Sequence, residues 1–115
     1  MQNVNVFLIM ALASVSIAAD TWYCGSKNDR LGGASLAFAE VVVDTNCNSQ
    51  KESVNLCCKA HDNCYNSQGG KKTCDENFCS CLEQAANSEI CKDTGSAMCL
   101  AVKLFGENAY KKAGQ

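Results

Sequence analysis

The chain has 115 residues, ten cysteines, one histidine, no proline and a net charge of −2. That length holds one small domain, and the near-neutral balance excludes an electrostatic nucleic-acid binder and gives little attraction to anionic membranes. Ten cysteines in so short a chain point to a disulfide scaffold whose apolar core is too small to hold it alone.

Residues 3–19 are nearly free of charge and contain Val6-Phe7-Leu8-Ile9-Met10-Ala11-Leu12. The segment closes on Ser16-Ile17-Ala18-Ala19, the pattern of a secretory signal peptide cleaved after Ala18 or Ala19. The apolar run is too short for a membrane span. The expected organisation is therefore a signal peptide over 1–19 and one domain over 20–115, in a secreted, extracellular protein. All ten cysteines follow the signal segment, and an even count in a secreted chain implies five bridges.

The mature chain opens with a loop, Trp22-Tyr23-Cys24-Gly25-Ser26-Lys27-Asn28-Asp29, and turn residues continue through Gly32-Gly33. Residues 34–43 are apolar but end in three valines, which fits a short helix or a strand. Asp44-Thr45-Asn46 reads as a turn or a helix cap. From 49 to 66 the apolar positions Val54, Cys57, Cys58, His61, Cys64 and Tyr65 fall at helical spacing, and Asn66-Ser67-Gln68-Gly69-Gly70 ends that helix. A second helix is predicted over 73–87, with Thr73 as N-cap and Glu76 completing a capping box. A third is predicted over 96–110.

Cysteine spacing adds tertiary information. Cys57 and Cys64 lie two turns apart on one helix face, and so do Cys74 and Cys81 on the next. The short Gly-containing connection makes the two helices antiparallel. Facing residues in such a pair have a constant sum of residue numbers, a condition met by Cys64 with Cys74 and by Cys57 with Cys81. Two bridges stapling two antiparallel helices are expected. Zinc binding is the weaker reading, because one histidine and the absence of a paired Cys-x-x-Cys give a poor ligand set, and a secreted chain oxidises its thiols.

Two consequences follow for chemistry. Asp75 adjoins Cys74, whose partner lies one turn after His61, so Asp75 is expected near the imidazole. Cys58 lies one turn before Asp62 on the same face. A bridge from Cys58 to Cys24 would bring the 22–27 loop to the Asp62 carboxylate, an oxygen-rich setting that suits calcium. Without these neighbours, a lone histidine on a stapled helix is a packed or solvated structural residue.

The segment Cys57-Cys58-Lys59-Ala60-His61-Asp62-Asn63-Cys64-Tyr65 resembles the active-site motif Cys-Cys-x-x-His-Asp-x-Cys-Tyr of secreted phospholipase A2. Cys74-Asp75-Glu76-Asn77-Phe78-Cys79-Ser80-Cys81-Leu82 is similar to the Cys-Asp-Asp-Lys-Phe-x-x-Cys-Leu segment of the bee-venom type, and Trp22-Tyr23-Cys24-Gly25 to the start of the family's calcium loop. The resemblance spans roughly 22–87. It implies a mainly α, small disulfide-rich phospholipase A2-like fold with two long antiparallel disulfide-linked helices and an N-terminal calcium-type loop. It implies His61 as general base on a water that attacks the sn-2 ester of a glycerophospholipid, and Asp75 as the acceptor of the other imidazole N–H. Tyr65 supports that carboxylate. Calcium is held by the Asp62 carboxylate and the carbonyls of Tyr23, Gly25 and Lys27. The implied pairing is Cys24–Cys58, Cys57–Cys81 and Cys64–Cys74, which leaves three ways to pair Cys47, Cys79, Cys91 and Cys99. A monomer acting on a phospholipid membrane surface or micelle is expected, with a protein receptor as a second class of partner.

The family's loop reads Cys-Gly-x-Gly where this chain has Cys24-Gly25-Ser26-Lys27. Lysine lacks glycine's conformational freedom and sets a positive charge beside a cation site, so calcium affinity is expected to fall. About a dozen residues are inserted after the loop relative to the bee-venom type, with Leu36, Phe38, Val41, Val42 and Val43 serving core packing or lipid docking. A second register, matching Cys79-Ser80-Cys81-Leu82 to the vertebrate Cys-x-Cys-Asp run, would put Leu82 in place of the acid; the Asp75 register satisfies the antiparallel ladder. Beside the hydrolase stand an inactive relative that binds lipid or a receptor, and an unrelated cysteine-rich interaction domain.

Overall fold

In a computed structural model, which describes residues 21–26 and 33–115, the chain is mainly α. The expected signal peptide over 1–19 and Lys27 lie outside the described residues. Among the described residues five α-helices follow one another: α1 Ala34–Asn46, α2 Lys51–Asn66, α3 Lys71–Ala85, α4 Glu89–Phe105 and α5 Glu107–Ala113, with a 3₁₀ turn Asn48–Gln50 before α2. Among the described residues there is no β-strand, and no helix is long and apolar enough to cross a membrane.

Where the sequence left helix and strand open, 34–46 is helix. Three alanines early in the segment, Ala34, Ala37 and Ala39, favour that state. The valines come only in its last turns. Val43 is fully buried, whereas Phe38 and Val41 stay exposed, so this largely apolar segment serves the core through one face only.

The edges of the later helices differ from the predicted ones. The α3 helix starts at Lys71, two residues before Thr73, and its N-cap position is Gly70, with no side-chain cap. Thr73 therefore sits inside the first turn. The extra residues gain an i,i+4 ion pair, Lys71 to Asp75 at 2.6 Å. The α4 helix starts at Glu89, seven residues before the predicted 96, because Ser88 caps it: its Oγ accepts from Cys91 N–H at 3.3 Å. Asp93-Thr94-Gly95 looks like a turn in sequence, but Thr94 and Gly95 are buried within the helix. Packing against α1 and α3 outweighs their poor propensity. The predicted 96–110 helix is broken at Gly106 into α4 and α5.

Buried positions on α2 (Val54, Cys57, Cys58, His61, Tyr65) and α3 (Cys74, Asp75, Phe78, Leu82) recur every three or four residues, so each helix turns one stripe inward. The core joins Val43, Val54, Phe78, Leu82 and Ala86 to Cys24, Cys47, Cys57, Cys58 and Cys91. Half of these residues are half-cystines, so covalent links stand where a larger domain would have aliphatic packing.

The bridges are Cys24–Cys58, Cys47–Cys91, Cys57–Cys81, Cys64–Cys74 and Cys79–Cys99. Two of them staple α2 to α3, which run antiparallel through the short 67–70 connection. Cys79–Cys99 joins α3 to α4, and Cys47–Cys91 joins the end of α1 to the start of α4. Beside the last bridge, Asn46 Nδ2 donates to Thr94 Oγ1 at 3.0 Å.

The structure resolves the three-way choice for the last four cysteines. Non-reducing peptide mapping should recover Cys47 with Cys91 and Cys79 with Cys99, and neither Cys47–Cys99 nor Cys79–Cys91. The Cys47–Cys91 bridge spans 44 residues; its removal by the double serine variant should lower unfolding free energy by about 2–4 kcal/mol, read by denaturant titration.

Candidate active site

The stapled α2–α3 pair positions a compact polar cluster. His61 Nε2–H donates to Asp75 Oδ1 at 2.7 Å. A carboxylate only accepts, so this contact puts the proton on Nε2 and leaves Nδ1 with a basic lone pair. Tyr65, one turn after His61, donates its hydroxyl to the same Oδ1 at 2.7 Å. The other carboxylate oxygen, Oδ2, accepts from Lys71 Nζ at 2.6 Å. Asp75 is 2 % exposed and His61 8 %.

Tyr65 and Phe78 flank the imidazole, with ring centroids 4.2 Å and 4.6 Å away. His61 also lines a cleft of about 120 Å³ between the two helices, with Ala60, Asn77, Phe78 and the two stapling bridges. A ring held on both sides and hydrogen-bonded at Nε2 has little rotational freedom.

The charges of the cluster follow from burial and hydrogen bonding. Burial lowers the His61 pKa below the usual 6.5; Asp75 acts in the opposite direction and Lys71 adds to the depression. The imidazole is therefore neutral at pH 7. Burial alone would raise the Asp75 carboxyl, but hydrogen bonds from His61, Lys71 and Tyr65 outweigh it and hold it below 3.8. The Tyr65 phenol is raised, first by burial and then by the adjacent carboxylate, so it acts as a donor throughout the neutral range.

Cys24–Cys58 carries the N-terminal segment to α2. Tyr23 N–H donates to Asn55 Oδ1 at 2.8 Å, and Asn55 Nδ2 donates to the Thr21 carbonyl at 2.6 Å. Gly25 has φ +106°, and a Cβ there would lie 2.7 Å from the Leu36 backbone. Only glycine fits this approach. Next to it, Ser26 N–H donates to Ser35 Oγ at 2.8 Å, and that hydroxyl donates back to the Ser26 carbonyl at 3.2 Å. The segment inserted after the loop thus supports it from α1. Asp62 is half-buried on α2, four residues after Cys58.

No group of three or more His, Cys, Asp or Glu side chains suited to a metal occurs among the described residues, and the five bridges consume every thiol. A metal here would depend on one carboxylate plus backbone carbonyls. The tight Gly25 turn and the hard-oxygen donors of Asp62, Tyr23 and Gly25 fit calcium in chemical kind.

Lys71 is the residue that sequence reading missed at this site. Its only signal is the i,i+4 spacing to Asp75, and Lys71 itself lies N-terminal to the predicted helix start. Gly106 is a second. A Cβ at Gly106 would lie 2.6 Å from the Tyr65 hydroxyl and 2.5 Å from the Val102 carbonyl. Tyr110 packs edge-on against Tyr65 at 5.1 Å and ties down the α2–α3 connection: its hydroxyl accepts from Gly70 N–H at 3.0 Å and its carbonyl from Gln68 Nε2 at 2.7 Å. The C-terminal helices therefore back the cluster.

A Caenorhabditis elegans protein described as phospholipase A2-like protein Y52B11A.8 is 35% identical to this chain over 96 residues, covering 82% of this chain and 52% of that protein. The likeness supports a phospholipase A2-like family, and the mainly helical, five-disulfide fold is consistent with it. The chain spans about half the length of that relative. No family model matches the chain, and no solved structure matches it.

Asp75 has a lowered folded pKa, so the stability it contributes is present above pH 3.8 and is lost as pH falls through the folded value. At pH 7, Asp75→Asn should lower unfolding free energy by about 3 kcal/mol, as expected when one member of a buried charge cluster is removed. Denaturant titrations from pH 5 down to pH 2 should show the gap to wild type closing. Gly106→Ala should displace the Tyr65 ring and cost about 1–3 kcal/mol, seen in the same titrations and in near-ultraviolet circular dichroism.

Proposed function

We propose that the chain is a secreted, calcium-dependent phospholipase A2-like hydrolase of the sn-2 ester of glycerophospholipids. The observation that carries this is the 2.7 Å hydrogen bond from His61 Nε2 to a buried, ionised Asp75. It leaves a neutral, oriented imidazole whose Nδ1 is free to accept a proton. The disulfide-rich fold and the lack of a membrane-crossing helix among the described residues are compatible with a secreted soluble protein.

Nδ1 of His61 takes a proton from water as the water oxygen bonds to the ester carbonyl carbon. Asp75 stabilises the resulting imidazolium without itself accepting a proton. As the tetrahedral intermediate collapses and the ester C–O bond breaks, His61 returns the proton to the departing alkoxide. Fatty acid and lysophospholipid leave. Tyr65 keeps the carboxylate hydrogen-bonded throughout.

Calcium would be held by the Asp62 carboxylate and the carbonyls of Tyr23, Gly25 and Lys27, and when bound supplies Lewis-acid stabilisation of the developing oxyanion. On this reading the Asp75 segment resembles that of the bee-venom type, and the calcium loop departs from the family's pattern at Lys27. The substrate partner is a phospholipid membrane surface or micelle. Exposed Phe38 and Val41 on α1, and Leu104 and Phe105 at the end of α4, supply apolar side chains suited to a lipid layer.

Fatty-acid release from phosphatidylcholine vesicles tests the proposal. Wild type should turn over in calcium and stop when calcium is chelated, and His61→Gln should lose at least about 100-fold in rate. Equal turnover by wild type and His61→Gln would overturn the assignment. Absent turnover together with absent calcium binding by calorimetry would favour the inactive lipid- or receptor-binding alternative.

A further inference from the structure

The Lys71 ammonium has three protons and three acceptors. Nζ donates to Asp75 Oδ2 at 2.6 Å, to the Val102 carbonyl at 3.0 Å and to the Lys103 carbonyl at 3.4 Å. Its side chain is 17 % exposed, against 68 % for Lys111 in the surface pair with Glu107. The two carbonyls belong to the last turn of α4, at the negative end of the helix dipole, and the Val102 carbonyl also accepts from the Gly106 N–H at 3.0 Å. A cation there is well placed on its own account. Here the same cation also grips the carboxylate oxygen that neither His61 nor Tyr65 uses.

We propose that Lys71 is a positioning residue of the site: it locks the rotation of the Asp75 carboxylate, so that Oδ1 stays on His61 Nε2, and it ties that orientation to the end of α4. Two of the four hydrogen bonds that other residues make to the Asp75–Lys71 pair come from the segment after residue 100, which gives the C-terminal third a part in the chemistry. With Lys71 removed, Oδ2 loses its partner inside a buried pocket and the carboxylate can rotate away from the imidazole. This builds on the reading of His61 and Asp75 as a base and its orienting acid. It also makes a statement about the imidazole that holds whether or not the protein turns over.

His61 is the single histidine, so ¹⁵N-histidine labelling gives one imidazole spin system. In wild type the ring should be a single Nε2–H tautomer with a slowly exchanging proton. Lys71→Met should speed that exchange at least about tenfold and populate the Nδ1–H tautomer, as expected when a hydrogen bond to a charged group is loosened. In vesicle assays kcat should fall about 10–100-fold with KM within about twofold, the signature of misplacement and not of weaker binding. Lys71→Gln, which keeps an uncharged N–H donor group, should lie between; it carries the same readouts if Lys71→Met does not fold. Wild-type exchange and tautomer in the folded variant would overturn the positioning role. A wild type without turnover but with the expected imidazole changes would count against the hydrolase reading alone and support the role of Lys71.

Discussion

Two disulfides between two antiparallel helices set the geometry on which everything else in this protein depends. Cys57–Cys81 and Cys64–Cys74 clamp α2 to α3 at points two turns apart, so neither sliding nor rotation of one helix against the other is available. His61 lies midway between the clamped positions on α2, and Asp75 directly follows one on α3. A hydrogen bond of 2.7 Å between side chains of separate helices needs that precision. In a domain whose core is half cystine, covalent restraint supplies what side-chain packing supplies in larger proteins.

The second constraint is electrostatic. Asp75 is an almost fully buried carboxylate, and such a charge persists only with full hydrogen-bond compensation. It receives donors from α2 (His61 and Tyr65) and from the first turn of its own helix (Lys71). Lys71 in turn reaches the end of α4, and Tyr65 is backed by Gly106 and Tyr110. One buried charge thus organises residues of α2, α3, α4 and α5. Stability and the proposed chemistry share the same contacts, because the interactions that keep Asp75 ionised also orient the imidazole.

Much of this was legible without coordinates. Helical period and the seven-residue cysteine spacings lead to two antiparallel stapled helices and bring Asp75 near His61. The α4 start was illegible because Gly95 and Thr94 look like a turn, and only their burial against neighbouring elements keeps them helical. The start of α3 was misread for a related reason: Thr73 has the form of a cap, but Lys71 gains more by pairing with Asp75 one turn on.

What the sequence alone determined is therefore the local and near-local part: helix faces, the α2–α3 register and the residue types able to act as base, acid and oxygen donors. These follow from periodicities of a few residues and a connection too short to allow another arrangement. Tertiary structure decided how Cys47, Cys79, Cys91 and Cys99 pair, which face of α1 is buried, and that Lys71 and Gly106 belong to the site. Those contacts join residues 20 to 44 positions apart. No local pattern encodes such pairings, since they depend on how whole helices settle against one another.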